Sequence, residues 1–356
     1  MKRRRLAIVL FNLGGPDRLE SVRPFLVNLF TDPAILRVPP FVRPFLARRI
    51  ARARLAPATE NYKLLGGFSP LLGLTEQQAR AIEAALPALD ARCFIAMRYW
   101  HPFSLEAAQA VAAWDPDEVV LLPLYPQFST TTTGSSLEAW RQASVQVGLV
   151  KPVTTVCCYP DDADYIAATA AILRTHLDTT RAALPDGQKL RVLFSAHGLP
   201  EVIVRHGDPY QEQIERTVAA VVRTLAQPGL DHVICYQSRA TPQKWIGPST
   251  DAEVERAAKD RVAVLVVPIA FVSEHTETLV ELDVEYRHLA ERLGVPGYFR
   301  VPTQNADAGF IGALAGLVRR ALAEGPGMRC LAASGICPAA QRDCPHRRAG
   351  LGLAAA

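Results

Sequence analysis

"AVLVVPIAFVSEHT", residues 263–276, starts as an apolar, β-branched run, meets Pro268, and ends among polar and acidic side chains. Apolar residues in unbroken succession read as a strand buried on both faces of a parallel sheet. "VVLLPLYPQFSTTT" (119–132) has the same layout. Two further pairs repeat: "VLFNLGGPD" (9–17) with "VLFSAHGLPE" (192–201), and "FIAMRYWHP" (94–102) with "VICYQSRATP" (233–242). The three runs keep their order in each half. That order predicts two similar α/β lobes meeting near residue 150, with a cleft between them. Further β-rich runs at 153–158 and 297–302, with those already named, alternate with helical patterns such as "PYQEQIERTVAAVVRTLAQ", as parallel sheets require. Ligands of such sheets sit beyond the carboxyl ends of the strands.

A chain of 356 residues has room for two domains, and 49% apolar with 21% charged residues is a globular balance. A net charge of +4 is too small to imply a nucleic-acid partner. The longest apolar stretch, Val262 to Val272, contains a proline and falls far short of the ~20 residues a bilayer requires. "MKRRRLAIVLFNLGGPD" imitates a secretory leader, but its apolar centre, Leu6–Phe11, is short and runs into a turn. It reads as the first strand of a cytoplasmic protein. Residues 39–57, "PPFVRPFLARRIARARLAP", mix Phe41, Val42, Phe45, Leu46 and Ile50 with arginines. They form either an ordinary surface helix or a basic, apolar lip for an anionic lipid surface or an apolar acidic ligand.

Downstream of the opening run, Glu274, Glu277, Glu281, Asp283 and Glu285 crowd around His275. On a helix, Glu277, Glu281 and Glu285 share a face, where like charges cost a few tenths of a kcal/mol per pair, roughly. They are either a solvated face or, with His197 of "LFSAHGLP", a pocket for proton abstraction or metal capture. "LYPQFSTTTTGSS" (124–136) offers hydroxyls and backbone N–H groups to an anion but lacks the P-loop lysine. "MRYWHPF" (97–103) gathers Arg98, Tyr99, Trp100 and His101, either as core aromatics or as a stacking surface for a flat acidic ligand. Of seven cysteines, Cys93 and Cys235 read as buried and inert. Cys157, Cys158, Cys330, Cys337 and Cys344 point to metal, since no export signal favours disulfides. The C-x6-C-x6-C tail is not a zinc finger. Three tail thiolates plus one from Cys157 or Cys158 would satisfy a [2Fe–2S] cluster.

"NLGGPD", "GGFSP", "MRYWHP", "LYPQFSTTTTGSS", "LFSAHGLP", "GDPY", "YQSR", "KWIGPST" and "PIAFVSEHTETLVELDVEY", in that order from about residue 6 to about 320, resemble ferrochelatases, which put ferrous iron into a porphyrin. The resemblance implies two Rossmann-like lobes, each a four-stranded parallel sheet flanked by helices, with a porphyrin cleft between them. It divides the chain into an N-terminal lobe (1–150) completed by a helix at 304–324, a C-terminal lobe (151–303) and a cysteine-bearing tail (325–356). It makes His197 and Glu277 the catalytic pair. Glu281, Glu285 and His275 would join them in handling the substrate Fe2+, along a helix with a π-type segment. Leu13, Lys63, Arg98, Tyr99, Tyr125, Ser129, Thr130 and Trp245 would hold protoporphyrin IX. The iron–sulfur ligands would be Cys330, Cys337, Cys344 and Cys158, or Cys157 in its place.

The chain departs from the family's pattern at several points. Leu13 stands where some members have methionine. Lys63 is the cation left where animal members have an arginine-rich "YRRIGGGSP". Thr130 replaces the internal cysteine of cluster-bearing animal enzymes. Two alternatives accompany this reading: use of coproporphyrin III, and a non-catalytic tetrapyrrole carrier or iron–sulfur sensor. Membrane contact would be peripheral, at the membrane's inner face.

Overall fold

The computed structural model describes residues 4–238 and 243–350. Arg239–Pro242, which include the end of "YQSR", lie outside the described residues, as do the start of the basic N-terminal run and residues 351–356 of the tail. The described strands are β1 (Arg5–Asn12), β2 (Asp90–Met97), β3 (Glu118–Pro123), β4 (Val153–Cys158), β5 (Leu190–His197), β6 (His232–Gln237), β7 (Ala263–Pro268), β8 (Tyr298–Arg300) and β9 (Gly327–Cys330). They form two parallel sheets, ordered β2-β1-β3-β4-β9 and β6-β5-β7-β8. Apart from β9 the two orders are the same. The duplication read from three sequence echoes is therefore a duplication of topology.

The chain divides into two compact units. The first holds the chain up to Cys158, Leu314–Leu331 and the chain from Pro345; the second holds Tyr159–Ala313 and Ala332–Cys344. In the first, every residue of β3 is buried, and Phe11 and Leu121 pack on Trp140 of helix Ser135–Gln146. In the second, Val264 and Val266 of the fully buried β7 pack with Leu282 and Tyr286. Strands sealed on both faces need unbroken apolar sequence, which is why β3 and β7 stood out.

The expected four strands in the first sheet become five. The tail returns as β9 beside β4, covering an edge that would otherwise expose unpaired N–H and C=O groups. The helix expected at 304–324 spans Ala308–Glu324, and Asp307 Oδ1 accepts a hydrogen bond from Phe310 N in its first turn. Among the described residues no helix is long and apolar enough to cross a membrane.

Candidate active site

His197 is the last residue of β5, so the sheet delivers its ring to the carboxyl-end rim. The turn that follows holds it closely. Gly198 N donates to Gln237 O at 2.7 Å, and a Cβ at Gly198 would lie 2.9 Å from that oxygen and 3.1 Å from Trp245. The His197 Nδ1 lies 2.5 Å from Gly198 O, a backbone acceptor that an Nδ1 proton satisfies, and Nε2 is left directed outward. Half-buried Trp245 flanks the imidazole, with ring centroids 6.5 Å apart.

Glu277 answers from the segment after β7. Its Oε1 is 3.7 Å from His197 Nε2, and its Oε2 is 3.7 Å from His275 Nε2. One carboxylate thus lies between two imidazoles. Burial works to raise its pKa, but the charge of His197 and the hydrogen bond and charge of His275 overcome that and bring it down to about 2. His275 is buried, its ring 4.8 Å from that of Phe271. Its Nδ1 has no hydrogen-bond partner among the described residues.

The acidic row does not act as one face. Glu277–Glu285 is a π-helix, a form concentrated at functional sites. Arg300 on β8 takes two of the five acids: it binds Asp283 with both arms at 2.6 and 2.7 Å and Glu274 at 2.9 Å. Those two are neutralised scaffold. Glu281 turns toward β6, where Gln237 Nε2 donates to it at 3.0 Å and Ser238 Oγ donates to the same oxygen. Burial and the neighbouring Glu277 push Glu281 up to about 7, against the pull of Ser238, Gln237 and His197. Gln237 also donates to Glu277 O at 2.9 Å and accepts from Ser195 Oγ at 2.8 Å, so one buried amide ties β5, β6 and the π segment together. Glu285 is exposed at the far end.

The porphyrin candidates of the first unit fall into three groups. Arg98 donates to Asp32 Oδ2 at 2.9 Å and to Ser135 Oγ at 2.6 Å. Tyr99 is buried beneath it and gives its hydroxyl to the same carboxylate at 2.9 Å. Ser129 is buried and caps a second π segment, Thr130–Gly134, accepting from Thr131 N at 3.2 Å. Thr130 Oγ1 accepts from Arg37 at 3.2 Å, and half-buried Tyr125 packs on the β1/β3 core. Leu13 lies against the cluster of helices Val22–Thr31 and Arg43–Leu64. Lys63 is exposed and paired with Glu60 at 2.8 Å.

Cys157, Cys158 and Cys330 bring their sulfurs within 4.8 Å of one another. Neighbours on a strand should face opposite ways. The β4–β9 register, however, shifts between Val156 and Cys158, making Cys157 the extra residue of a bulge. The adjacent sulfurs end 3.4 Å apart. The hydrogen bonds from Cys157 and Cys330, then burial, hold the Cys158 thiol well above its ordinary value. In the second unit Cys337 is buried and accepts from Gln213 Nε2 at 3.2 Å, and Cys344 is buried.

Sequence reasoning overlooked Asp32, Gln237 and Ser238 as individual residues. Nothing local marks Asp32, which sits in a loop far from Arg98 in sequence. Gln237 and Ser238 lie within the "YQSR" motif, and their polarity directly after an apolar strand was the available signal.

The model of the ferrochelatase family matches residues 5–322. The chain belongs to the ferrochelatase family. It is 52% identical over 347 residues to the ferrochelatase of Caulobacter vibrioides, covering 96% of this chain and 98% of that one. It is 50% identical over 356 residues to that of Phenylobacterium zucineum, covering 97% and 99%. Among solved structures, SirB from Bacillus subtilis with Fe3+ aligns at a TM-score of 0.51 and 11% identity, covering 90% of this chain and 96% of SirB. That likeness concerns the fold alone. The carrier and sensor alternatives gain no support from these relatives.

Proposed function

We propose that this chain inserts Fe2+ into protoporphyrin IX, giving protoheme and two protons. The observation that carries the reading is the carboxylate of Glu277 held between His197 and His275 at the carboxyl end of β5. Insertion exchanges two pyrrole N–H protons for one dication, so the site must offer negative charge and also take up protons. Glu277, depressed to about 2, is anionic at neutral pH and supplies the charge. Imidazole and carboxylate donors suit ferrous iron. His197, with Nε2 outward, accepts a pyrrole proton. Glu281, near 7, changes protonation state at working pH and passes the proton on. Glu285 continues the path to solvent. Arg98, held by Asp32, pairs with a porphyrin propionate, and Tyr99 positions Arg98 from beneath. The test is iron or zinc insertion into protoporphyrin followed by absorbance: wild type metallates and His197→Ala does not. A wild type that binds porphyrin without metallating it would overturn the reading. A parallel assay with coproporphyrin III fixes the substrate.

The chain also holds a [2Fe–2S] cluster on this reading. Two buried thiols, Cys157 and Cys158, and half-buried Cys330, converging on one bulged strand and its neighbour, are a soft donor set suited to iron–sulfur ligation. Cys158 or Cys157 with Cys330, Cys337 and Cys344 would hold the group, which supplies no step of the non-redox insertion. Reduced, anaerobically purified protein without a [2Fe–2S] EPR signal would refute it. Finally, Phe41 and Phe45 are 77% and 72% exposed beside exposed Arg48, Arg49 and Arg52. This lip touches the inner face of a membrane peripherally from the cytoplasm. Phe41→Ser/Phe45→Ser should abolish sedimentation with anionic vesicles, and unchanged sedimentation would refute the contact.

A further inference from the structure

The cysteine-bearing segment 332–344 packs on the stretch "GDPYQEQIE" (207–215) and the helix it begins, and Ser334 N also donates to Asp161 Oδ2 at 3.2 Å. Asp343 N donates to Gly207 O at 3.1 Å. Gly207 has φ +109°, and a Cβ there would lie 2.6 Å from Arg342 N and 3.1 Å from Ala340 O, so the two backbones meet where no side chain fits. One turn along helix Tyr210–Leu225, Gln213 Nε2 reaches Cys337 Sγ at 3.2 Å. A second turn on, Arg216 donates to Ser334 Oγ at 2.8 Å and Gly335 O at 3.3 Å.

The same stretch has an inner side. Tyr210, buried, donates its hydroxyl to His197 O at 3.1 Å. Burial, then Tyr236, Glu277 and Asp208, push that hydroxyl well above its ordinary value, so it stays a donor throughout the working range. Asp208, fully buried, accepts from Tyr210 N at 3.0 Å and fixes the start of the helix. Gly207 through Tyr210 are buried without a break. Tail backbone, Gly207, Asp208, Tyr210 and the His197 carbonyl thus form one packed series.

We infer that Tyr210 is a positioning residue for His197 and that the tail segment 332–344 buttresses it, so that the state of the cysteine-bearing tail sets the placement of the catalytic histidine. The inference rests on His197 being catalytic. It gives the tail cysteines a mechanical role: a group bound by Cys337 and Cys344 would hold the buttress in place without entering the reaction.

The test is a double-mutant cycle in the full-length protein, read by steady-state metallation and by thermal unfolding. Tyr210→Phe keeps the ring and loses the donor. It should lower kcat roughly tenfold, with KM for porphyrin and Tm unchanged, and move the pH profile of kcat. Gly207→Ala, which pushes the tail away, should lower kcat to a similar extent. The double variant should be no slower than the slower single, because both act through one series. Where Gly207→Ala does not fold, Arg216→Met, which unties Ser334 and Gly335, takes its place. Effects that multiply, or a Tyr210→Phe enzyme within twofold of wild type while His197→Ala is dead, would overturn the buttress and leave the catalytic reading standing. An active His197→Ala would overturn both.

Discussion

Glu281→Gln should make the protein more stable and less active. The carboxyl of Glu281 is raised from an ordinary 4.5 to about 7, first by burial and then by Glu277. For an acid whose folded-state pKa is raised, the folded state holds its proton more tightly than the unfolded one. Stability is therefore lost as pH climbs from 4.5 to about 7, and stays lower above that. At about 1.4 kcal/mol for each tenfold change in proton affinity, the penalty is about 3 kcal/mol above pH 7. Glutamine keeps the acceptor for Gln237 Nε2 and Ser238 Oγ and never ionises. Stability of wild type and variant is measured by urea or thermal unfolding from pH 5 to pH 9, with metallation rates alongside. The variant's advantage should be about 1 kcal/mol or less at pH 5, grow through pH 6–7, and level off at about 3 kcal/mol, a rise of a few °C in Tm. Metallation should fall, because the amide cannot carry the proton. A stability difference that does not change with pH, or a variant less stable at pH 8, would refute the assignment of Glu281 as a buried titrating acid.

Three further outcomes follow from the geometry. Arg300→Leu leaves Glu274 and Asp283 without their counter-charge and should cost about 3 kcal/mol in unfolding measurements; a loss below about 1 kcal/mol would show that the π segment does not depend on that clamp. Gly198→Ala places a methyl against Gln237 O and Trp245 and should lower kcat at least tenfold, roughly, with little change in porphyrin binding by fluorescence titration. Glu277 is depressed from 4.5 to about 2, so its stabilisation is present above pH 4.5 and is lost as pH falls toward 2. Acid unfolding of Glu277→Gln should therefore show a weaker pH dependence across that window than wild type.

The strands of both sheets were legible because buried parallel strands leave continuous apolar runs, and β3 and β7 have no polar interruption. β9 was not. "GMRC" is four residues with a glycine at φ +125°, and it becomes a strand only because β4 offers an open edge. His197, Glu277 and the acidic stretch were visible as residue types at a strand end. Their division of labour was not, because the residue that sorts the acids, Arg300, lies on β8, seventeen positions beyond Asp283. A charge count along a helix face cannot reveal that Glu274 and Asp283 are neutralised by an arginine while Glu277 and Glu281 are not. The thiols show the same limit: alternation on a strand would make Cys157 and Cys158 mutually exclusive, and only the bulge brings both sulfurs together.

The duplication sharpens what each half contributes. Both copies follow their third strand with a π segment, Thr130–Gly134 after β3 and Glu277–Glu285 after β7, so the same backbone device stands at the same place in each sheet. The side chains diverge. The first copy carries neutral hydroxyls in a threonine run, the second carboxylates. After the first strand the second copy has His197-Gly198 where the echoed motif of the first has Gly14-Gly15, with Gly14 at φ +85° and a would-be Cβ 3.0 Å from Trp100 N. No imidazole fits there. A carboxylate at Thr131 or Thr133, both buried, would face a cost of desolvation. Charge is tolerated in the second copy because Arg300 neutralises two of its acids and His197 and His275 flank a third. The charged π segment therefore depends on the basic groups around it, and the segment after β3 carries neutral hydroxyls in its place.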